Sequence, residues 1–102
     1  MRILFFGNAN FGLPTLEYLS NSSHTLLAVV TNKDKKSGRG KKYFPTPIKK
    51  YAQKHNLHIL EIENLDTPVF ESKIRALNPD LMIVIAYRLL PERIFSIPSM
   101  ER

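Results

Sequence analysis

The chain of 102 residues is long enough for one modest hydrophobic core and too short for two domains of ordinary size. It has no cysteine, which excludes disulfides and thiolate metal sites and fits a reducing cytosol. Its net charge of +6 is gathered in one place: residues 33–50 hold eight basic side chains against one acidic, Asp34, a local +7, and the rest of the chain sums to −1. Such a patch points to a polyanion that meets the protein at one segment, not to a charge spread for solubility.

The first element is a short strand over residues 2–6, apolar and rich in aromatic and β-branched side chains, ended by Gly7. Four apolar residues before a glycine make neither a signal-peptide core nor a membrane span, so a cytoplasmic protein is expected. A helix should follow, starting between Asn10, a candidate N-cap, and Pro14, which is tolerated only in a first turn, with Leu16 and Leu19 on its inner face. Asn21-Ser22-Ser23 closes it; the glycosylation sequon there is read as chance, because no secretory signal accompanies it. Residues 26–30 form a second apolar strand, which completes a βαβ unit with a right-handed crossover.

Residues 31–46 are polar and punctuated by glycine, with Ser37-Gly38-Arg39-Gly40-Lys41-Lys42 at their centre. That length is unusual for a connection in a compact domain and favours a binding role. Thr46 and Pro47 have the form of an N-cap and first helical residue, with Ile48, Tyr51, Ala52 and His55 on one helical face. A third short strand covers residues 58–60. Asp66 or Thr67, followed by Pro68, opens a helix carrying Phe70, Ile74 and Leu77, and Asn78-Pro79-Asp80 stops it. Residues 81–86 are apolar without alternation, as a central parallel strand covered on both faces must be. A helical turn through Ile94 and Phe95 should follow Pro91, and Pro98 should break it.

This alternation calls for an α/β fold: a Rossmann-like open parallel sheet with strand order 3-2-1-4 and helices on both faces. Ligands of such sheets bind at the carboxyl ends of the strands, at the switch point between the first and fourth. Gly7, Asn8 and Phe11 should line that crevice on one side, and Tyr87, Arg88, Leu89 and Leu90 on the other.

Familiar nucleotide motifs fail there. Residues 7–12 stand where a dinucleotide fingerprint would, but lack its middle glycine. They have the two glycines of a Walker A loop, but Leu13-Pro14 replaces the required Lys and Ser or Thr. His24, His55 and His58 all fall at the amino end of the sheet, away from the crevice, and no carboxylate pair or metal-ligand cluster appears near it. The chain therefore presents a binding edge without visible catalytic groups, and no metal is expected.

With these residues in view the chain resembles the methionyl-tRNA formyltransferases over their amino-terminal part. The matching pieces are Ile3-Leu4-Phe5-Phe6-Gly7 with Phe11 and Leu16, Val29-Val30-Thr31, residues 37–42 with Pro45 and Pro47-Ile48-Lys49, Asn78-Pro79-Asp80-Leu81, and residues 86–91. The glycine-flanked arginine loop joined to the Pro-x-Pro segment is the most specific. The resemblance implies transfer of a formyl group from 10-formyltetrahydrofolate, the co-substrate, to the amino group of methionine on initiator tRNA. It implies that Lys33, Lys35, Lys36, Arg39, Lys41 and Lys42 bind tRNA and that Tyr87, Arg88, Leu89 and Leu90 form the folate slot. Residues 1–102 would then be the amino-terminal part of the catalytic domain. The family's Asn-x-His motif and aspartate would lie beyond Arg102, as would its carboxyl-terminal β-barrel, so this segment alone is expected to be inactive.

Many members have glycine where this chain has Arg88, and one more residue before Leu-Pro. A related Arg-Ile-Leu pattern in glycinamide ribonucleotide formyltransferases keeps another folate-dependent formyltransferase, of nucleotide or amino-sugar type, as the alternative, beside a small RNA-binding module. The full enzyme is expected to be a monomer, and the isolated segment to associate through the sheet edge left after its fourth strand.

Overall fold

The computed structural model describes residues 1–33, 35–37, 42–85, 87–88 and 90–97, with the backbone alone for 35–37 and 42–44. The strands are β1 (Arg2–Gly7), β2 (Thr25–Thr31), β3 (Lys35–Ser37), β4 (Lys42–Phe44), β5 (Ile59–Glu61) and β6 (Leu81–Ile85). The helices are α1 (Leu13–Ser20), α2 (Pro47–Lys54), α3 (Pro68–Leu77) and the single turn α4 (Glu92–Phe95). Four strands pair in parallel in the order β5-β2-β1-β6, which is the 3-2-1-4 order that the alternation implies once the extra hairpin strands are set aside.

Side chains of β1 alternate between two cores. Ile3 and Phe5 pack with Leu16 and Leu19 of α1 and Ile48 and Ala52 of α2; Leu4 and Phe6 pack with Phe70 and Ile74 of α3 and Ile94 of α4. Helices therefore cover both faces, and each buried Phe or Leu in this double layer contributes about 1.5–3 kcal/mol. Between Ile3 and Leu4 the pairing with β2 slips by one residue, so Leu27 and Ala28 both turn toward the α3 side.

The helix starts follow their caps. Thr46 accepts from the Lys49 amide at 3.0 Å and Thr67 from the Phe70 amide at 3.1 Å, which settles the choice between Asp66 and Thr67. Asn10 does not cap α1. A 3-10 turn over Asn10–Gly12 intervenes, and Gly12 occupies the cap position without a side-chain bond. Asn78 ends α3 in the left-handed region at φ 51°. Arg2 then fastens that end to β1, donating to the Leu77 carbonyl at 2.6 Å and the Asn78 carbonyl at 3.1 Å, while its own amide donates to Asp80 Oδ2 at 2.9 Å.

Two expectations are corrected. The strand at residues 81–85 is not central among the described residues: β1 and β2 hold the inner positions, and β6 lies at the edge with Val84 39% exposed. Residues 3–6 of β1, which has a partner strand on each side, are at most 3% exposed. The stretch from 31 to 46 is not wholly loop, because β3 and β4 form an antiparallel pair with Lys35 opposite Phe44 and Ser37 opposite Lys42. Pro98 lies outside the described residues.

Candidate ligand-binding edge of the sheet

All four parallel strands deliver their carboxyl ends to one edge. There β1 hands over to Gly7 and Asn8, β2 to Thr31 and Asn32, β5 to Ile62 and Glu63, and β6 to Tyr87 and Arg88. Gly7 pairs with Ile85 across the mouth between β1 and β6. A Cβ on it would lie 2.8 Å from Phe5 Cε1 and 3.1 Å from the Ile85 carbonyl oxygen, so glycine stands here because the Phe5 ring fills the space.

Asn8 turns its carboxamide toward β2, on the side of β1 away from β6. Its Oδ1 accepts from the Thr31 hydroxyl at 3.0 Å and from the Asn32 amide at 2.8 Å. Thr31, fully buried, also shares a 2.7 Å hydrogen bond with the Thr46 hydroxyl. Among the described residues Asn32 Oδ1 is buried without a donor. Phe11, in the 3-10 turn, is 80% exposed.

On the opposite side of the mouth the half-buried Tyr87 ring meets Phe6 edge-on, with centroids 5.6 Å apart and an interplanar angle of 67°. Arg88 reaches across to the β5–α3 connection, donating from Nη1 to the Glu63 carbonyl at 2.6 Å and from Nη2 to the Ile62 carbonyl at 2.8 Å. Its guanidinium carbon lies 5.4 Å from the Tyr87 ring centroid, a cation-π contact. Burial pushes the Tyr87 phenol above its ordinary value, and the adjacent Arg88 offsets part of the rise. Among the described residues Arg88 Nε is buried with no acceptor. Leu90 packs against the core under α3 and α4.

Such an edge, at the switch point of a 3-2-1-4 sheet and beside a segment of concentrated positive charge, fits a known family. Residues 1–101 match the formyl transferase family. The chain belongs to that family. It is 43% identical over 99 residues to a methionyl-tRNA formyltransferase of Acetivibrio thermocellus, an alignment that takes in 96% of this chain and 32% of that protein. Similar figures hold for methionyl-tRNA formyltransferases of Ruminiclostridium cellulolyticum, 39% over 101 residues, and of Sulfurihydrogenibium, 41% over 102 residues. The chain spans about a third of the length of these curated relatives, 32% in each case.

Within this formyl transferase chain the positions singled out from sequence divide. Tyr87 and Arg88 stand together at the end of β6, and Leu90 is partly buried beside them, while Leu89 lies outside the described residues. Lys33 is exposed just past β2. Lys35, Lys36 and Lys42 fall on the backbone of the hairpin, and Arg39 and Lys41 lie outside the described residues. Lys49, from the same basic stretch, serves the fold instead, since its ammonium meets Glu61 at 3.0 Å and joins α2 to β5.

Sequence reasoning missed two parts of this edge. The carbonyls of Ile62 and Glu63 carry no side-chain signature, and Thr31 reads as the polar end of an apolar strand. The one signal within the sequence was Thr46, whose capping role was legible while its bond to Thr31 was not.

The histidines stay at the opposite edge. His24 Nδ1 faces the Met1 amine at 3.1 Å, His55 stacks on Tyr51 with centroids 4.1 Å apart, and the His58 carbonyl accepts from the Val29 amide. Asn56-Leu57-His58 has the letters of an Asn-x-His motif, but it forms the turn from α2 into β5, with Asn56 at φ 56°, and so points away from the candidate site. Among the described residues no group of three His, Asp or Glu could hold a metal ion, and no helix is long and apolar enough to cross a membrane.

Proposed function

We propose that this chain forms the amino-terminal part of the catalytic domain of a cytoplasmic, monomeric enzyme that moves a formyl group from 10-formyltetrahydrofolate to the amino group of methionyl initiator tRNA. The observation that carries the reading is the identity of about 40% to methionyl-tRNA formyltransferases across nearly the whole chain. The basic segment begins at the carboxyl end of β2, the same edge as Tyr87, which supports the reading.

In this reading Lys33, Lys35, Lys36, Arg39, Lys41 and Lys42 grip phosphates of the tRNA acceptor end. Tyr87 and Leu90 offer apolar surface at the rim of the sheet, the kind of wall that holds a flat heteroaromatic ring, and Leu89, outside the described residues, is assigned to the same slot. Arg88 serves that wall indirectly, because its guanidinium is engaged with the carbonyls of Ile62 and Glu63. Attack of an amine on a formyl carbon needs a proton acceptor and donors for the oxyanion. This edge binds and orients; the acid-base groups and the carboxyl-terminal barrel belong to the rest of the enzyme.

The test is tRNA binding to the chain by fluorescence anisotropy over a range of salt. Affinity should fall steeply with salt, and replacing Arg39, Lys41 and Lys42 by Ala should flatten the log-log slope by about 2–3, one unit or slightly less for each phosphate contact removed. An unchanged slope would refute the assignment of the segment.

A further inference from the structure

The hydrogen bonds around Thr31 run in one direction. The Lys49 amide donates to Thr46 Oγ1 at 3.0 Å, and the Thr31 hydroxyl gives its proton to Asn8 Oδ1 at 3.0 Å. The 2.7 Å bond between the two threonines must therefore be donated by Thr46. The series ends on Asn8 Oδ1, which takes a second proton from the Asn32 amide at 2.8 Å. Aligned bonds of this kind polarise one another, and Thr31 at its centre is fully buried, so water does not compete there.

The location of the network matters more than its strength. Thr31 and Asn32 lie ahead of the first strand of the basic hairpin, with residues 33–34 between, Thr46 lies two residues after its second strand and caps α2, and Asn8 belongs to the turn after β1. Three segments separated by 23 and 15 residues are thus tied at one point, where the chain enters and leaves the hairpin. A two-stranded hairpin has no core of its own, so its direction relative to the sheet depends on how its two ends are held.

We propose that Asn8, Thr31 and Thr46 form a positioning clamp that holds both ends of the basic hairpin against the β1 turn, so that its lysines and Arg39 meet an RNA backbone already aligned with the carboxyl edge of the sheet. The inference rests on the reading of that segment as an RNA grip. Alignment before contact lowers the ordering cost of binding and leaves the number of phosphates neutralised unchanged. Loss of the clamp therefore has a signature distinct from loss of charge: weaker binding at every salt concentration with the same salt slope.

The experiment measures anisotropy of labelled initiator tRNA with the 102-residue chain, comparing the parent, Thr31→Val, Thr31→Ser, Asn8→Ala and the triple change of Arg39, Lys41 and Lys42 to Ala. Thr31→Val keeps the shape and removes the hydroxyl; it should weaken binding about tenfold at unchanged slope, and Thr31→Ser should bind within twofold of the parent. Asn8→Ala, which breaks the same network from another segment, should repeat the Thr31→Val result and serves in its place if burial makes the valine variant fail to fold. Parent-like affinity in the folded clamp variants, with the triple variant flattened as expected, would overturn the clamp alone. A flattened slope in Thr31→Val would also overturn it, since contacts and not alignment would then have been lost. A triple variant indistinguishable from the parent would overturn the RNA reading and the clamp with it.

Discussion

Gly7→Ala tests the reason given for the shape of the β1–β6 mouth. The added Cβ would lie 2.8 Å and 3.1 Å from two atoms of the Phe5 ring and 3.1 Å from the Ile85 carbonyl oxygen. The ring is fully buried, and the same Cε1–Cζ edge also abuts Gly12, where a Cβ would lie 2.9 Å from Phe5 Cζ, so two glycines make room for one ring edge. Overpacking of this kind costs about 1–3 kcal/mol. Because Gly7 does not occupy the left-handed region, alanine also restricts the unfolded chain and returns about 0.4–1 kcal/mol. Taken at the middle of the two ranges, the net expectation is a loss of about 1–2 kcal/mol.

With no tryptophan in the chain, far-ultraviolet circular dichroism during urea unfolding is the suitable readout. A loss of that size moves the midpoint down by roughly 0.3–2 M, for a slope of about 1–3 kcal/mol per molar urea. The decisive measurement is the cycle with Phe5→Leu. That change alone destabilises, but it removes the ring atoms the new Cβ would strike, so Gly7→Ala should cost at least about 1 kcal/mol less in the leucine background. Additive losses, or a Gly7→Ala midpoint equal to the parent, would refute the claim that Phe5 dictates glycine at this position.

Two further outcomes follow from the other side of the mouth. Arg88→Met frees the carbonyls of Ile62 and Glu63 and should cost about 1–3 kcal/mol with faster amide exchange near residues 62–64; Arg88→Lys, which cannot fork, should recover only part, and parent-like exchange in both would count against the tie. Tyr87 has a folded-state pKa raised by burial, so its contribution is complete below the unfolded value near 10 and is lost as pH rises through the folded value. Urea midpoints of the parent should therefore decline more steeply above about pH 10 than those of Tyr87→Phe, and matched declines would show that the phenol is not desolvated.

The division between the two faces of the sheet has a functional consequence. One core, under α1 and α2, holds Phe5 and sets the β1 end of the mouth; the other, under α3 and α4, holds Phe6 and sets Tyr87. Adjacent residues of β1 thus support the two sides of the crevice separately. A core substitution at Phe6 should disturb the Tyr87 wall and leave the Gly7 turn in place, because the ring contacts run to opposite faces.

What the sequence determined by itself was whatever depends on neighbours within a turn or two. The Thr46 and Thr67 caps, the apolar faces Ile48-Ala52 and Phe70-Ile74, the order of strands and helices, and the concentration of lysines all arise from spacings of three to four residues, or from a single run of charge. Only the tertiary structure decided that residues 35–37 pair with 42–44, that Asn8 serves β2, and that Arg88 is spent on backbone carbonyls. Those contacts join residues as much as 26 positions apart, and two of the acceptors are main-chain oxygens that every residue possesses. A side chain's type tells which bonds it can make; which partner it finds is set by the pairing of strands, and that is fixed only when the whole sheet closes.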